Sequence, residues 1–147
     1  MAAPARVRAD AIDRFWETVP PLWGMIRTRI RASATADFGI TVEQFHVLRY
    51  VRRGTESMSE LASAKNISRP AISQAVEVLV QKGLLRRTHN SADRRYVGLA
   101  LTKEGNALLD ALFRRTRAWM ATRMRSMTVD ELRTIAGAMD ALKKMLA

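Results

Sequence analysis

Between Ser57 and Thr102 the chain reads SMSELASAKNISRPAISQAVEVLVQKGLLRRTHNSADRRYVGLALT, and no other stretch constrains the fold as much. Ser57 and Glu60 have the spacing of a capping box, which opens a short helix around Leu61 and Ala62 that Asn66 can end. Ser68 stands as the cap of a second helix, with Pro70 in a first turn where a missing amide costs nothing. Ile72, Val76, Leu79 and Val80 recur at i, i+4, i+7 and i+8, the spacing of a buried stripe. Gly83 stops that helix. Leu84 to Thr88 and Tyr96 to Leu101 alternate as short strands, joined by the polar hairpin HNSADRR.

Two helices across a tight turn, followed by a hairpin, are the order of a winged helix-turn-helix, which lays its second helix in the DNA major groove. The flanking sequence is helical. Ile12, Phe15, Trp16 and Val19 mark an amphipathic helix from Arg8 to Val19. Pro20 and Pro21 are expected to break it, with helix resuming around Leu22 and running to about Thr35, closed by Gly39. Thr41 and Gln44 form a second capping box with Ile40 and Phe45 as its hydrophobic staple. The helix they open carries Phe45, Val47, Leu48 and Val51 and ends at Gly54.

Thr102 caps a long helix from Lys103 to about Ser126. Thr128 and Glu131 form another box, and the last helix sets Leu132, Ile135, Met139, Leu142 and Met145 on one side. The predicted fold class is therefore mostly α with a small antiparallel β wing. The predicted division is 1–40 (N-terminal helices, with the break at Pro20-Pro21), 41–102 (winged helix-turn-helix) and 103–147 (C-terminal helices). The apolar faces of the end helices exceed what the small winged domain can cover.

Charge narrows the function. Of 25 cationic residues 20 are arginine, against 14 acids, for a net charge of +11. Such a surplus favours polyanions, nucleic acid first and anionic membrane second, and arginine suits bidentate phosphate and guanine contacts. The chain has no cysteine, which excludes disulfides, thiolate metal sites and thiol redox switches. Its two histidines, His46 and His89, have no metal-ligand spacing, so no metal or other cofactor is expected. No apolar run approaches the ~20 residues of a membrane span. Arg6, Arg8, Asp10, Asp13 and Arg14 interrupt any signal-peptide core, so a cytoplasmic protein is expected. No phosphate-binding glycine loop or nucleophile motif points to an enzyme.

On the second helix, the face opposite the buried stripe carries Arg69, Pro70, Ser73, Gln74, Glu77 and Gln81. Arg69 can reach a phosphate or guanine, Gln74 can pair with adenine, and Ser73 suits a phosphate or a base edge. Pro70 can meet a thymine methyl. Two adjacent arginines at a hairpin tip, Arg94 and Arg95, repel each other, and a narrow minor groove attracts such a tip.

Taken together, SELASAKNISRPAISQAVEVLVQKGLLRR, the wing motif Asp93-Arg94-Arg95 and LALTKEG at 99–105 resemble the MarR-type (multiple-antibiotic-resistance) transcriptional regulators. ITVEQFHVL resembles the family's second helix, and the likeness runs from roughly Leu22 to the C-terminus. The helix ahead of Pro20 is an extension beyond the minimal pattern. The resemblance implies a homodimer through the first and last helices, bound to double-stranded DNA. It maps the minor-groove arginine onto Arg95 and its orienting carboxylate onto Asp93, leaving Arg94 for phosphate. Arg87 falls at the family's strand arginine, where a structural ion pair is an equal reading.

The resemblance further implies a small aromatic ligand as effector, for which Trp16, Trp23, His46, Tyr50 and Trp119 are the candidate rings. Their spacing equally fits core or dimer packing. The expected function is a homodimeric repressor on a pseudo-palindromic operator. The alternative is an architectural winged-helix protein without sequence preference.

Overall fold

The computed structural model describes residues 3–55, 57–65, 68–89 and 97–146. Among these, α1 (Ala3–Phe38), α2 (Val42–Arg52), α3 (Met58–Lys65) and α4 (Arg69–Gln81) precede β1 (Leu85–His89) and β2 (Val97–Leu101). The long α5 (Lys103–Arg123) and α6 (Val129–Lys143) follow. The strands pair antiparallel, Leu85 opposite Leu101 and His89 opposite Val97. Mostly helical with one two-stranded wing, the chain has the predicted fold class.

Local chemistry sets the helix starts. The Thr41 hydroxyl accepts from the Gln44 amide and the Gln44 side chain accepts from the Thr41 amide, at 3.2 and 3.0 Å. Ser57 with Glu60, and Thr128 with Glu131, make the same reciprocal pairs. Each box satisfies amides that the first helical turn leaves without partners. The staple residues Ile40 and Phe45 are both fully buried.

The expected break at Pro20-Pro21 does not occur, because α1 runs 36 residues through both prolines. Proline's fixed φ is itself helical; what it removes is an amide, and with it the bond to the carbonyl four residues earlier. Those carbonyls belong to Trp16 and Glu17, on a stretch exposed enough for water to take the bonds. The flanking segments 3–19 and 22–38 each exceed the roughly 12–15 residues below which a helix is marginal. The helix therefore survives on both sides of the pair.

Two compact units emerge, Met1–Thr116 and Arg117–Ala147. This differs from the three-part division at 40 and 102. In the first unit, Ala34 of α1 and Leu109 and Leu112 of α5 enter the same core as Phe45, Leu48, Leu61, Val76, Leu79, Leu85 and Leu99. The helices flanking the winged domain thus supply part of its interior. Ion pairs reinforce the joins: Arg115 meets Asp37 at 2.8 Å, and Arg52 meets Asp110 at 2.7 Å. In the second unit α6 buries none of its residues.

The passage from α4 to the wing is tightly specified. Gly83 adopts φ 69°, and the amides of Gly83 and Leu84 return to the carbonyls of Val80 and Leu79, the two bonds of a Schellman cap. The Thr102 hydroxyl donates to the Gly83 carbonyl at 2.7 Å and accepts from the Gly105 amide at 3.0 Å. One side chain therefore locks the end of α4 to the start of α5. Gly105 sits so close to Leu84 that a Cβ there would lie 2.1 Å from the Leu84 carbonyl oxygen. The LTKEG sequence thus encodes a hydroxyl clamp and a backbone approach that only glycine permits.

Candidate nucleic-acid interface

Helix α4 divides its residues cleanly. Ile72, Val76 and Leu79 are buried, whereas Ser68, Arg69, Pro70, Ser73, Gln74 and Glu77 are exposed along the opposite side. That distribution presents a guanidinium, hydroxyls and an amide on a rigid rod, the groups that contact phosphates and base edges. Leu61 of α3 is fully buried in the common core, which anchors the preceding helix.

Two residues on this face depart from expectation. Ser68 occupies the cap position with extended backbone, φ −62° and ψ 145°, but its side chain makes no capping bond. A cap oxygen bonds the second or third helical amide. Pro70, in second place, has no amide, which leaves Ala71 alone to be reached. The Ser68 hydroxyl is therefore not spent on the helix. Glu77 is engaged within the protein: its carboxylate accepts from the Arg87 guanidinium of β1 at 2.8 Å and from Gln81 at 3.4 Å. Arg87 is thus an ion-pair residue.

The expected wing-tip residues Asp93, Arg94 and Arg95 lie outside the described residues. So does Asn66, the expected end of the short helix. The strands that carry the wing are described, and Leu85 and Leu99 bury its base in the core.

Two adjoining cavities lie between α1 and α2, and the second of them reaches α4. One, of about 250 Å³, is bounded by Trp23, Arg27, Arg31, Phe45, His46 and Arg49. The other, of about 240 Å³, shares Arg27, Arg31 and His46 and adds Tyr50, Leu61 and the α4 residues Ala71, Ile72 and Ala75. Of the five candidate rings, the structure brings Trp23, His46 and Tyr50 to this groove. Trp16 is 67% exposed and packs edge-on against Phe15. Trp119 belongs to the second unit, where the Arg123 guanidinium lies over its ring.

Ring composition alone does not reveal the groove's arginines. Arg27 and Arg31, four apart on α1, share a face, and Arg49 stands three residues after His46 on α2; that helical spacing was the available signal. Burial, and after it the like charge of Arg53, lowers the Arg49 pKa. Glu43 is the one acid among the described residues that border the pair of cavities. Among the described residues no three histidine, aspartate or glutamate side chains form a metal-binding group. No helix among them is long and apolar enough to cross a membrane.

A helix pair whose second member exposes a polar face, clamped to a two-stranded hairpin, defines a winged helix-turn-helix protein. The model of the MarR family matches residues 38–95, a span that takes in α2, α3, α4 and β1, and over that span the chain is similar to the family. It is 33% identical over 95 residues to the HTH-type transcriptional repressor MdtR of Bacillus subtilis, covering 64% of this chain and 61% of MdtR. The chain therefore spans less than two thirds of that relative's length.

The fold is similar to that of the transcriptional regulator Tm0710 of Thermotoga maritima, with a TM-score of 0.79 at 22% identity over 91% of this chain and 94% of that one. It is also similar to FabT of Streptococcus pneumoniae, solved in complex with DNA. There the TM-score is 0.68 at 17% identity, over 92% of this chain and 96% of that one.

Proposed function

We propose that this chain is a DNA-binding transcriptional regulator that works as a homodimeric repressor on a pseudo-palindromic operator. The observation that carries this reading is the exposed polar face of α4, Ser68 to Glu77, set on a buried apolar stripe in a chain of net charge +11. MdtR, the relative at 33% identity, is named a repressor, and FabT, of similar fold, was solved with DNA. In this reading Ser68, Arg69, Pro70, Ser73 and Gln74 enter the major groove. Arg95, oriented by Asp93, enters the minor groove, and Arg94 meets phosphate.

A second copy of the chain is the partner for the uncovered apolar residues. On α1, Val7, Ile12, Trp16 and Trp23 are exposed; in the second unit, Val129, Leu132 and Met139 are exposed on a helix that buries nothing, and Met145 is exposed just past its end. Such faces at both ends of a chain fit a dimer made by the terminal helices. An aromatic effector is assigned to the groove between α1, α2 and α4. Trp23, His46 and Tyr50 offer it rings, Arg27, Arg31 and Arg49 favour an acidic substituent, and Ala71 and Ala75 would transmit its presence to the reading helix.

Selection of bound duplexes from a random pool, run with and without aromatic acids, tests the reading. The expected product is a palindrome with half-sites about one helical turn apart, held against excess random duplex and lost with an active ligand. Retention of DNA without any enriched sequence would instead establish the architectural alternative.

A further inference from the structure

Glu77 is the one acid on α4, and it lies on the exposed side that the proposed function turns toward DNA. A carboxylate there faces the phosphates of any duplex, and like charges brought together in a partly dehydrated interface oppose docking. The structure gives that carboxylate its own counter-ion. Arg87 reaches from β1, opposite Leu99 in the sheet, and places Nη2 2.8 Å from Glu77 Oε2, while Gln81 Nε2 donates to Oε1 at 3.4 Å. Both carboxylate oxygens are held, and the pair joins the reading helix to the wing strand.

We infer that Arg87 is a positioning residue for DNA reading: it neutralises Glu77 on the reading face and fixes the wing strand against α4. The inference rests on the DNA-binding function proposed above. With the two side chains 45% and 50% exposed in the free protein, the pair contributes little to folding. Its effect belongs to the complex. DNA excludes water from the face, the interaction strengthens, and an unpartnered Glu77 would meet the polyanion. If Arg87 instead bound a phosphate directly, its removal would lower the slope of log affinity against log salt by about 0.9.

The test compares wild type, Arg87→Gln and Arg87→Gln/Glu77→Gln. Each is titrated by fluorescence anisotropy against the selected operator and a random duplex at several salt concentrations. Arg14→Gln, which strips the partner from exposed Asp10 on α1, controls for net charge. The expected result for Arg87→Gln is an operator affinity about tenfold weaker, with an unchanged melting temperature and salt slope. The double variant should then bind at least about threefold tighter than Arg87→Gln alone, the coupling that a pair acting as a unit requires.

Unchanged affinity for Arg87→Gln, or an equal loss for Arg14→Gln, overturns the proposal. So does a slope lowered by about 0.9 without recovery in the double variant, which identifies a direct bond to phosphate. A wild-type protein that binds neither duplex overturns the DNA-binding function itself, and this role with it.

Discussion

Arg52 Nη1 stands 2.7 Å from Asp110 Oδ1, joining the last turn of α2 to α5, and the same guanidinium lies 5.6 Å from the centre of the Phe113 ring. Both partners of the ion pair are more than a third exposed, so water screens them. Asp110→Asn should therefore destabilise the fold by no more than about 1 kcal/mol. The difference should vanish in molar salt, since the ring interaction remains. Urea unfolding at low and high salt measures both; a loss independent of salt would contradict a screened pair.

Gly105→Ala should do far more harm. The added methyl group would meet the Leu84 carbonyl oxygen at 2.1 Å, and backbone has no rotamer by which to yield. Overpacking of this kind costs about 1–3 kcal/mol where side chains can adjust, and the upper end or beyond is expected here. The midpoint of chemical unfolding reports it. A variant as stable as wild type would mean that α5 can slide along the wing base.

Two hydroxyl residues at helix starts should behave oppositely. Thr41→Ala breaks a reciprocal capping box and should cost about 1 kcal/mol of stability. Ser68→Ala removes a hydroxyl that caps nothing and should leave the melting temperature unchanged while weakening operator binding. Thermal melts and gel-shift titrations on the same preparations separate the two effects. Equal stability losses would show that Ser68 caps α4 in solution.

Acid should loosen the join between α1 and α5. A hydrogen bond from the Ser33 hydroxyl chiefly lowers the Asp37 pKa from its ordinary 3.8; desolvation opposes the shift, and Arg115 adds to it. A carboxylate lowered on folding stabilises fully above its unfolded value, and that contribution disappears as pH falls through the folded value. Stability should thus decline below about pH 4. Asp37→Asn should flatten that part of the profile, and urea midpoints between pH 2 and 6, read for both proteins, would show whether it does.

What the sequence makes legible follows from the range of the interactions. Thr41 with Gln44 and Thr128 with Glu131 are three residues apart, and the buried stripe of α4 repeats within a single helix; these local features match the structure. Pro20 and Pro21 mislead because the local penalty is read without the length of helix on either side. Ser68 misleads because capping residues are preferred by type, whereas Pro70 removes one of the two amides that could bond it. The bond between Arg87 and Glu77 spans ten positions across a turn, so no helical or strand period announces it. The groove arginines likewise come from separate helices, and only packing shows which of many cations converge.

The last helix has 15 residues and buries none of them. A helix of that length alone in water is barely stable. Were a second copy its cover, as proposed above, the C-terminal arm would become firm only where copies are plentiful, and dilution alone would soften it. The chain would then gauge its own abundance: a cell holding few copies would keep them as slack-armed protomers, and accumulation would switch on regulators able to grip two half-sites together.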